Sequence, residues 1–584
     1  LDALKSQVDF YVDLVVQLVR SDPSGITRIK HLARDVDTVV SRTTFEGLAF
    51  LTKTLPRLGK ALDAGLASQR FSLPLEFSHS HENRSIPAFM QEYFNLLFDS
   101  DGVLLETACP NAVKHLRQVL YFAYKLELPY HPRDERRVID AFVETDEQLE
   151  IVDDIYSTQL CEDASIIVKD ILQDFDPKDI LPRHGPGAVA TGERLEEKWE
   201  FSRLYKSIHS FYPYYEYFVV GWGREILDRL GWYKALDRLD HGRAKVVLVP
   251  KDSRGPRLIS CEPLEFQWIQ QGLGRKLMRT LESHWRTRGR VNFTHQEINR
   301  KLALESSISL EYATLDLKDA SDRVSLELVH RVFSKNPRVL QALEACRTTE
   351  TLLPSGKVVP LKKFAPMGSA LCFPVEALIF WAIMVAACSL RYRLPWSEVG
   401  KRIFVYGDDL IVPTDWAPQC MLALERVGLR VNTAKCCITG PFRESCGMDA
   451  FKGVPVTPSR LRKQWTARPS DGSMLSAYVH LANDLGEKGY KRVADLIWTR
   501  LEEVYGLIPH GLQNSPFPCK IIHDATAAED LNLLRGFRYR WNRHYQRVEF
   551  RVKYVGPRRT PSILNDWPRL LRDVVSPNES DDRS

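Results

Sequence analysis

The ten residues Ile403–Val412, IFVYGDDLIV, constrain this chain more than any other stretch. Two apolar, β-favouring runs flank a Gly–Asp pair, the pattern of a tight hairpin whose turn needs positive φ, which Gly407 can supply. The tip then carries two adjacent carboxylates, Asp408 and Asp409, between apolar strands. Such a pair repels itself unless a cation sits between the two groups. Taken alone, a solvated Asp–Gly turn would account for it.

A second carboxylate cluster changes that balance. In TLDLKDASDRVS, Asp316 closes a β-like run, YATLDL (312–317), 92 residues before Asp408. A strand Asp facing an Asp pair on a neighbouring hairpin is a donor set for two hard divalent cations, the arrangement used in nucleotidyl transfer. Between the two clusters, FAPMGSALCFPVEALIFWAI (364–383) reads as a loop with Gly368 and Ser369. A long apolar helix follows over Phe373–Cys388, with Pro374 in its first turn. Upstream, RAKVVLVPKDSRGPRLIS (243–260) reads as a β-run at Val246–Val249, a basic turn and a short strand at Arg257–Ile259.

Composition bounds the rest. A chain of 584 residues has room for about four domain-sized units, and its 44% hydrophobic and 27% charged content excludes wholesale disorder. A net charge of +5 leaves room only for local basic surfaces. Eleven scattered cysteines without a C-x-x-C pair suit a reducing compartment and not a disulfide scaffold. The N-terminal LDALKSQVDFYVDLVVQLVR carries Asp2, Asp9 and Asp13 and reads as an amphipathic helix, not a signal peptide. The most apolar run, Val375–Cys388, has 14 residues and contains Glu376, whereas a span needs about 20. A soluble intracellular protein is expected. The chain opens on Leu1 and not Met, as a partial sequence or an unusual start would.

The first 180 residues look mostly helical; after Pro110, Val113, Leu116, Leu120 and Tyr124 recur at helical spacing. LPRHGPGAVATGE (181–193) reads as a tight connection. Residues 312–455 mix strands with helices, including one near 418–427, so the fold class is α+β with a small antiparallel sheet. Beyond Pro458 the chain turns helical again, broken at Gly486 and Gly489, with Val493, Leu496, Ile497, Leu501 and Val504 as an apolar stripe. Residues 535–559 hold nine Lys/Arg against one acid, Glu549, and rings alternate with arginines through Phe537–Trp541. A strand there puts rings on one face and charges on the other. Either the rings enter the core, or Tyr539 and Trp541 stack on bases while Arg538, Arg540 and Arg543 track RNA phosphates. The closing NESDDRS reads as an acidic tail.

The order of these features carries a resemblance. D-x5-D, then M-G-S with its helix, then Y-G-D-D resembles motifs A, B and C of the palm of RNA-dependent RNA polymerases. DLKDASDRVS, M-G-S…E-A-L-I-F and GPFRESCG (440–447) resemble the replicase catalytic (beta) subunit of leviviruses, the single-stranded RNA bacteriophages. VPKDSRGPRLISCEP (249–263) and NFTHQEINRKLA (292–303) are similar to that family's upstream patterns, and the likeness runs from about 180 to 460.

The resemblance implies a right-hand polymerase, with an N-terminal region and fingers in 1–255, palm in 256–455 and helical thumb with a basic end in 456–584. It implies Asp316 and Asp408 as principal ligands of two Mg²⁺ ions (Mn²⁺ as the alternative), with Asp409 assisting. Asp322 would stand near the ribose 2′-hydroxyl, and Asp319 would be solvated. Gly368 and Ser369 would form the motif-B loop; Glu376 stands in the region where many RNA polymerases have an Asn. Lys245, Lys251, Arg254 and Arg257 would reach the NTP triphosphate as motif F, unless they form only a solvated basic loop. Lys435 would protonate the leaving pyrophosphate as motif D, or be a surface lysine. The Arg443–Glu444 pair would position the primer-side strand, or pair internally. Partners implied are RNA template and product, NTPs, host elongation factors Tu and Ts and a small-subunit ribosomal protein, in the cytoplasm of a bacterial host and without a membrane. Competing readings are a reverse transcriptase, a narnavirus- or mitovirus-like polymerase, a two-metal ribonuclease, and a non-catalytic RNA-binding scaffold. Gly407 and Asp322 speak against the first, and GPFRESCG against the second.

Overall fold

The computed structural model describes residues 2–23, 25, 30–81, 85–219, 230–522, 535–556 and 566–575. The chain mixes helices with short sheets and divides into two compact units built from discontinuous stretches. One comprises Leu1–Pro129, Lys251–Arg254 and Ala450–Arg559; the other comprises Tyr130–Pro250, Gly255–Asp449 and Thr560–Ser584. The NESDDRS segment lies outside the described residues.

The first unit is largely helical and joins the two ends of the sequence. The expected N-terminal helix runs Asp2–Val19 and buries Phe10, Tyr11, Leu14, Val15 and Leu18. Phe10 packs on Trp465 with ring centroids 5.0 Å apart, and the Tyr11 hydroxyl accepts the Trp465 N–H at 2.7 Å. The helix Pro110–Tyr121 starts on its proline, buries Val113, Leu116 and Leu120, and sends the Arg117 Nε to the Val456 carbonyl at 3.1 Å. Helices Gly472–Glu487 and Lys491–Tyr505 flank the expected glycine break. Val493, Ile497 and Leu501 are buried, while Leu496 and Val504 are half-buried at the edge of the stripe.

This unit also holds the basic C-terminal ribbon, Tyr539–Asn542 paired antiparallel with Arg547–Phe550. Cross-strand partners share a face, so Tyr539, Trp541, Val548 and Phe550 lie on one side and Arg540, Asn542, Arg547 and Glu549 on the other. Tyr539 is 75% exposed and Trp541 58%. The rings are therefore in solvent, which removes the reading that put them in a core.

The second unit is organised by the helix Cys372–Tyr392, whose side chains from Pro374 to Cys388 are all buried. Ile155–Ile171 and Ala417–Arg426 pack against it. At 21 residues it exceeds the apolar run read from the sequence, because the exposed end Ser389–Tyr392 continues the helix. With a mean hydropathy of 2.0 it is long and apolar enough to cross a bilayer, yet 83% of that window is buried in protein.

Beside this helix lies a three-stranded antiparallel sheet in the order Tyr312–Leu315, Asp409–Pro413, Phe404–Tyr406. The strand expected over 312–317 ends at Leu315. Beyond it, Leu317 bridges Val431 and the Asp316 carbonyl accepts the Asn432 N–H at 2.9 Å, so the chain changes partners at Asp316. A four-stranded sheet orders Gly255–Cys261, Arg243–Asp252, Glu350–Leu352 and Val358–Pro360. Its first two strands are longer than the runs read from the sequence.

Glu262, just after that sheet's edge strand, is buried, and the Thr348 hydroxyl donates to its Oε1 at 3.3 Å. Burial pushes its carboxyl up to about 7. The folded chain thus holds a proton that the unfolded chain releases near 4.5, and stability falls as pH rises between those values. Glu262→Gln should flatten that fall, by up to roughly 3 kcal/mol between about pH 4.5 and 8. Urea unfolding of both proteins at the two ends of the range measures it; equal slopes would show that Glu262 is ionised in the fold.

Candidate active site

The hairpin forms as its sequence demands. Tyr406 pairs with Asp409 across the two-residue turn Gly407–Asp408. Gly407 has φ +61°, and a Cβ there would stand 2.1 Å from the Phe373 ring, so backbone and packing both require glycine. Phe373 lies edge-on to Tyr406 and Phe293, with centroids 5.5 and 5.4 Å away. The Tyr406 hydroxyl donates to the Phe293 carbonyl at 2.8 Å. The turn is thereby clamped to the N-terminal end of the buried helix.

Asp316 stands across from this turn. Leu315 pairs with Leu410, so extending the register by one residue sets Asp316 opposite Asp409. On the other edge of strand 312–315, Thr314 exchanges backbone hydrogen bonds with Cys437 at 3.0 and 2.9 Å. That pairing brings Asn432 and Lys435 alongside. Asn432 Nδ2 donates to Asp316 Oδ2 at 2.6 Å, and the Lys435 ammonium lies 3.4 Å from both carboxylate oxygens.

The electrostatics follow from the crowding. Burial pushes Asp409 up to about 6, with help from the negative charges of Asp408 and Asp316; the Cys446 N–H, donating to Asp409 Oδ2 at 3.2 Å, opposes the rise. Asp408 is open to solvent but ringed by protein, and its pKa is raised by that desolvation and by Asp316, against Lys435 and Arg257. Glu376, buried in the central helix, is raised well above the usual range by burial and then by Asp408 and Asp322. It accepts the Cys372 thiol at 3.6 Å. Burial lowers the Lys435 pKa, but Asp316, Glu444 and Asp408 raise it more, so its ammonium is charged.

Arg257 is exposed at the edge of the four-stranded sheet and acts on Asp408. Gly368 has φ +125°, and a Cβ there would stand 2.1 Å from the Ser260 carbonyl oxygen; Ser369 is buried, its Oγ accepting the Leu371 N–H at 3.3 Å. Asp322, on the short helix Ala320–Arg323, pairs with Lys363 at 3.2 Å; burial raises its pKa and Lys363 opposes the rise. Asp319 is exposed, as expected. Lys245 is exposed on strand 243–252. Lys251 and Arg254 belong to the other compact unit, where Arg254 forks onto Asp252 at 2.8 and 3.1 Å. Arg443 is fully buried and donates to the carbonyls of Tyr312, Gly440, Phe442 and Ile438. Its bonds are internal, which removes it from any nucleic-acid surface. In the ribbon, Arg540 pairs with Glu549 at 2.9 Å; among the described residues Arg538 and Arg543 have no carboxylate partner.

Sequence reasoning missed Asn432, the Cys446 N–H and Lys363. Asn432 had one available signal, its place three residues before Lys435 in VNTAKCC. Among the described residues, no three His, Cys, Asp or Glu side chains converge closely enough to hold an ion as they stand. The donors still suit a hard divalent cation: Asp316, Asp408 and Asp409 offer only carboxylate oxygens, and an ammonium already stands against Asp316.

The antiparallel hairpin tipped by paired carboxylates and the facing strand Asp lie within the segment that the comparisons match. Residues 229–476 match the family model described as RNA replicase, beta-chain. The chain is 37% identical over 280 residues to the RNA-directed RNA polymerase subunit beta of Escherichia virus Qbeta, covering 47% of this chain and 44% of that one. It is 36% identical over 244 residues to the corresponding subunit of Qbeta virus (strain MX1), covering 41% and 39%. Against the RNA-directed RNA polymerase beta chain of Escherichia phage MS2 it is 33% identical over 218 residues, 37% of each. The resemblance to levivirus replicase beta subunits is thus shown over this segment. The chain matches about two fifths of the length of these relatives. A solved RNA-dependent RNA polymerase of a human picorbirnavirus, an insertion-loop deletion mutant, aligns with TM-score 0.31 and 8% identity over 45% of this chain and 57% of that one; nothing is inferred from it.

Gly407→Ala should cost about 1–3 kcal/mol, from the left-handed backbone and the clash with Phe373. Thermal unfolding checks it; an unchanged Tm would mean that the turn and Phe373 adjust freely.

Proposed function

We propose that this chain is the catalytic subunit of an RNA-dependent RNA polymerase that replicates a phage single-stranded RNA genome from NTPs, releasing pyrophosphate. The observation that carries the reading is the convergence of Asp316, Asp408, Asp409, Lys435 and Arg257 at one sheet end, within a segment matched to replicase beta chains.

Asp316 and Asp408 would hold two Mg²⁺ ions, Mn²⁺ being the alternative, with Asp409 assisting. Such ions, when bound, supply activation of the attacking 3′-hydroxyl and charge neutralisation on the phosphates. The chain's residues do the positioning. Asn432 orients the Asp316 carboxylate through its 2.6 Å bond, and the Cys446 N–H holds Asp409. Arg257, with Lys245, would steady the triphosphate, arginine doing so by paired N–H donors. Lys435, charged and beside Asp316, would give its Nζ proton to the departing pyrophosphate oxygen. The Gly368–Ser369 loop would border the nucleotide, and Asp322 would accept the ribose 2′-hydroxyl.

Fingers, palm and thumb are assigned to 1–255, 256–455 and 456–584. The exposed ribbon would add an RNA surface through Tyr539, Trp541, Arg538, Arg540 and Arg543, aromatic faces for bases and guanidiniums for phosphates. Assembly with host elongation factors Tu and Ts and a small-subunit ribosomal protein, in the bacterial cytoplasm, completes the proposal; the word "subunit" in the relatives' names supports an assembly of some kind.

Nucleotide incorporation on a short primed RNA template with Mg²⁺ tests the reading, with the elongation factors added if the chain alone is silent. Asp408→Asn should abolish extension by at least about a thousandfold while RNA affinity survives. Parallel loss of binding would make Asp408 structural, and preference for dNTPs would indicate a reverse transcriptase. Trp541→Ala should weaken RNA binding about fivefold or more without lowering Tm, because the ring is exposed; unchanged affinity would remove the ribbon from the RNA path.

A further inference from the structure

Lys363 is a buried cation with a particular set of neighbours. Its side chain is 0% exposed. The ammonium lies 3.2 Å from Asp322 Oδ1, 3.4 Å from the Phe142 carbonyl and 3.9 Å from Asp146 Oδ1, above the Phe142 ring at 3.5 Å. Asp146, on the helix Pro132–Glu147, accepts the N–H groups of Lys362 and Lys363 at 2.8 and 2.9 Å. Residues 362–364 in turn run alongside 324–326: Leu326 N–H reaches the Lys362 carbonyl at 2.9 Å and Phe364 N–H the Val324 carbonyl at 2.8 Å. The lysine is therefore fixed at both ends, by its backbone and by its ammonium.

Burying a lysine is costly unless the charge is well paired. Here Asp322 Oδ1 is held from the interior, while Oδ2 has no protein partner among the described residues and the side chain keeps 22% of its surface open. One oxygen is anchored and the other is free to accept from outside. The cation also opposes the rise that burial imposes on the Asp322 pKa, which favours the ionised, acceptor-only form.

We propose that Lys363 is the positioning residue of the nucleotide site: anchored on Asp146 and Phe142, it pins one oxygen of Asp322 so that the other accepts a hydroxyl of the incoming ribose. This rests on the polymerase reading above. Lys363 touches no substrate and acts through Asp322, so its removal alters the choice between ribose and deoxyribose more than it alters turnover.

The test compares kcat/KM for an NTP and its dNTP on a primed RNA template, for wild type, Asp322→Asn, Lys363→Met and the double variant. The ratio of the two values is independent of the fraction of folded enzyme. Lys363→Met should lower the ratio by at least about tenfold, as Asp322→Asn does, and the double variant should match Asp322→Asn alone. The double variant leaves no unpaired Asp322 charge and keeps the question answerable should Lys363→Met fail to fold. In that case, an added loss of about tenfold or more relative to Asp322→Asn, equal for both nucleotides, would mean a structural role and overturn the proposal. So would a Lys363→Met enzyme that keeps the wild-type ratio. A wild type that extends with neither nucleotide, elongation factors added, refutes the polymerase reading itself and this inference with it; one that extends with both equally refutes the part given to Asp322.

Discussion

Negative charge held in a crowded place is the constraint on which the second unit depends. Asp316, Asp408 and Asp409 meet at one sheet end, and Asp322 and Glu376 bear on the same region from the short helix Ala320–Arg323 and the central helix. Carboxylates so placed raise one another's pKa and oppose folding as pH rises. The surrounding structure answers each one locally: Asn432 and Lys435 at Asp316, the Cys446 N–H at Asp409, Lys363 at Asp322, and the Cys372 thiol at Glu376. At Asp408, the most exposed of the group, a backbone hydrogen bond and then the Lys435 and Arg257 charges oppose the rise.

Such a site needs a rigid frame, because a displacement of one ångström changes these interactions greatly. The frame is apolar. The buried helix Cys372–Tyr392 presents Phe373 to the hairpin turn, and Gly407 exists to let the two approach. Strand 312–315 is fixed on both edges, by 409–413 and by the segment bridged at Cys437. Charge is thus confined to the ends of elements whose bodies are hydrophobic.

The ribbon at 539–550 follows the opposite logic. Among the described residues its strands pair only with each other, and an isolated hairpin in water is marginal. Exposed Tyr539 and Trp541 beside many arginines leave apolar area uncovered, which is a feature of surfaces that meet a partner.

The sequence by itself determined what is local. The hairpin at 403–412, the turn glycine, the amphipathic N-terminal helix and the paired C-terminal helices all follow from spacings of a few residues, where periodicity and turn chemistry decide. The order of the carboxylates also suffices to mark the candidate site. What only the tertiary structure decided is which side chain answers each charge. Asn432 lies 116 residues from Asp316, Lys363 lies 41 from Asp322, and Arg443 turns inward although its sequence neighbours gave no sign of it. The same holds for the ribbon, where alternation defines two faces but not which of them is covered. Partners at such separations are set by how whole elements pack, and no short-range pattern records that sum.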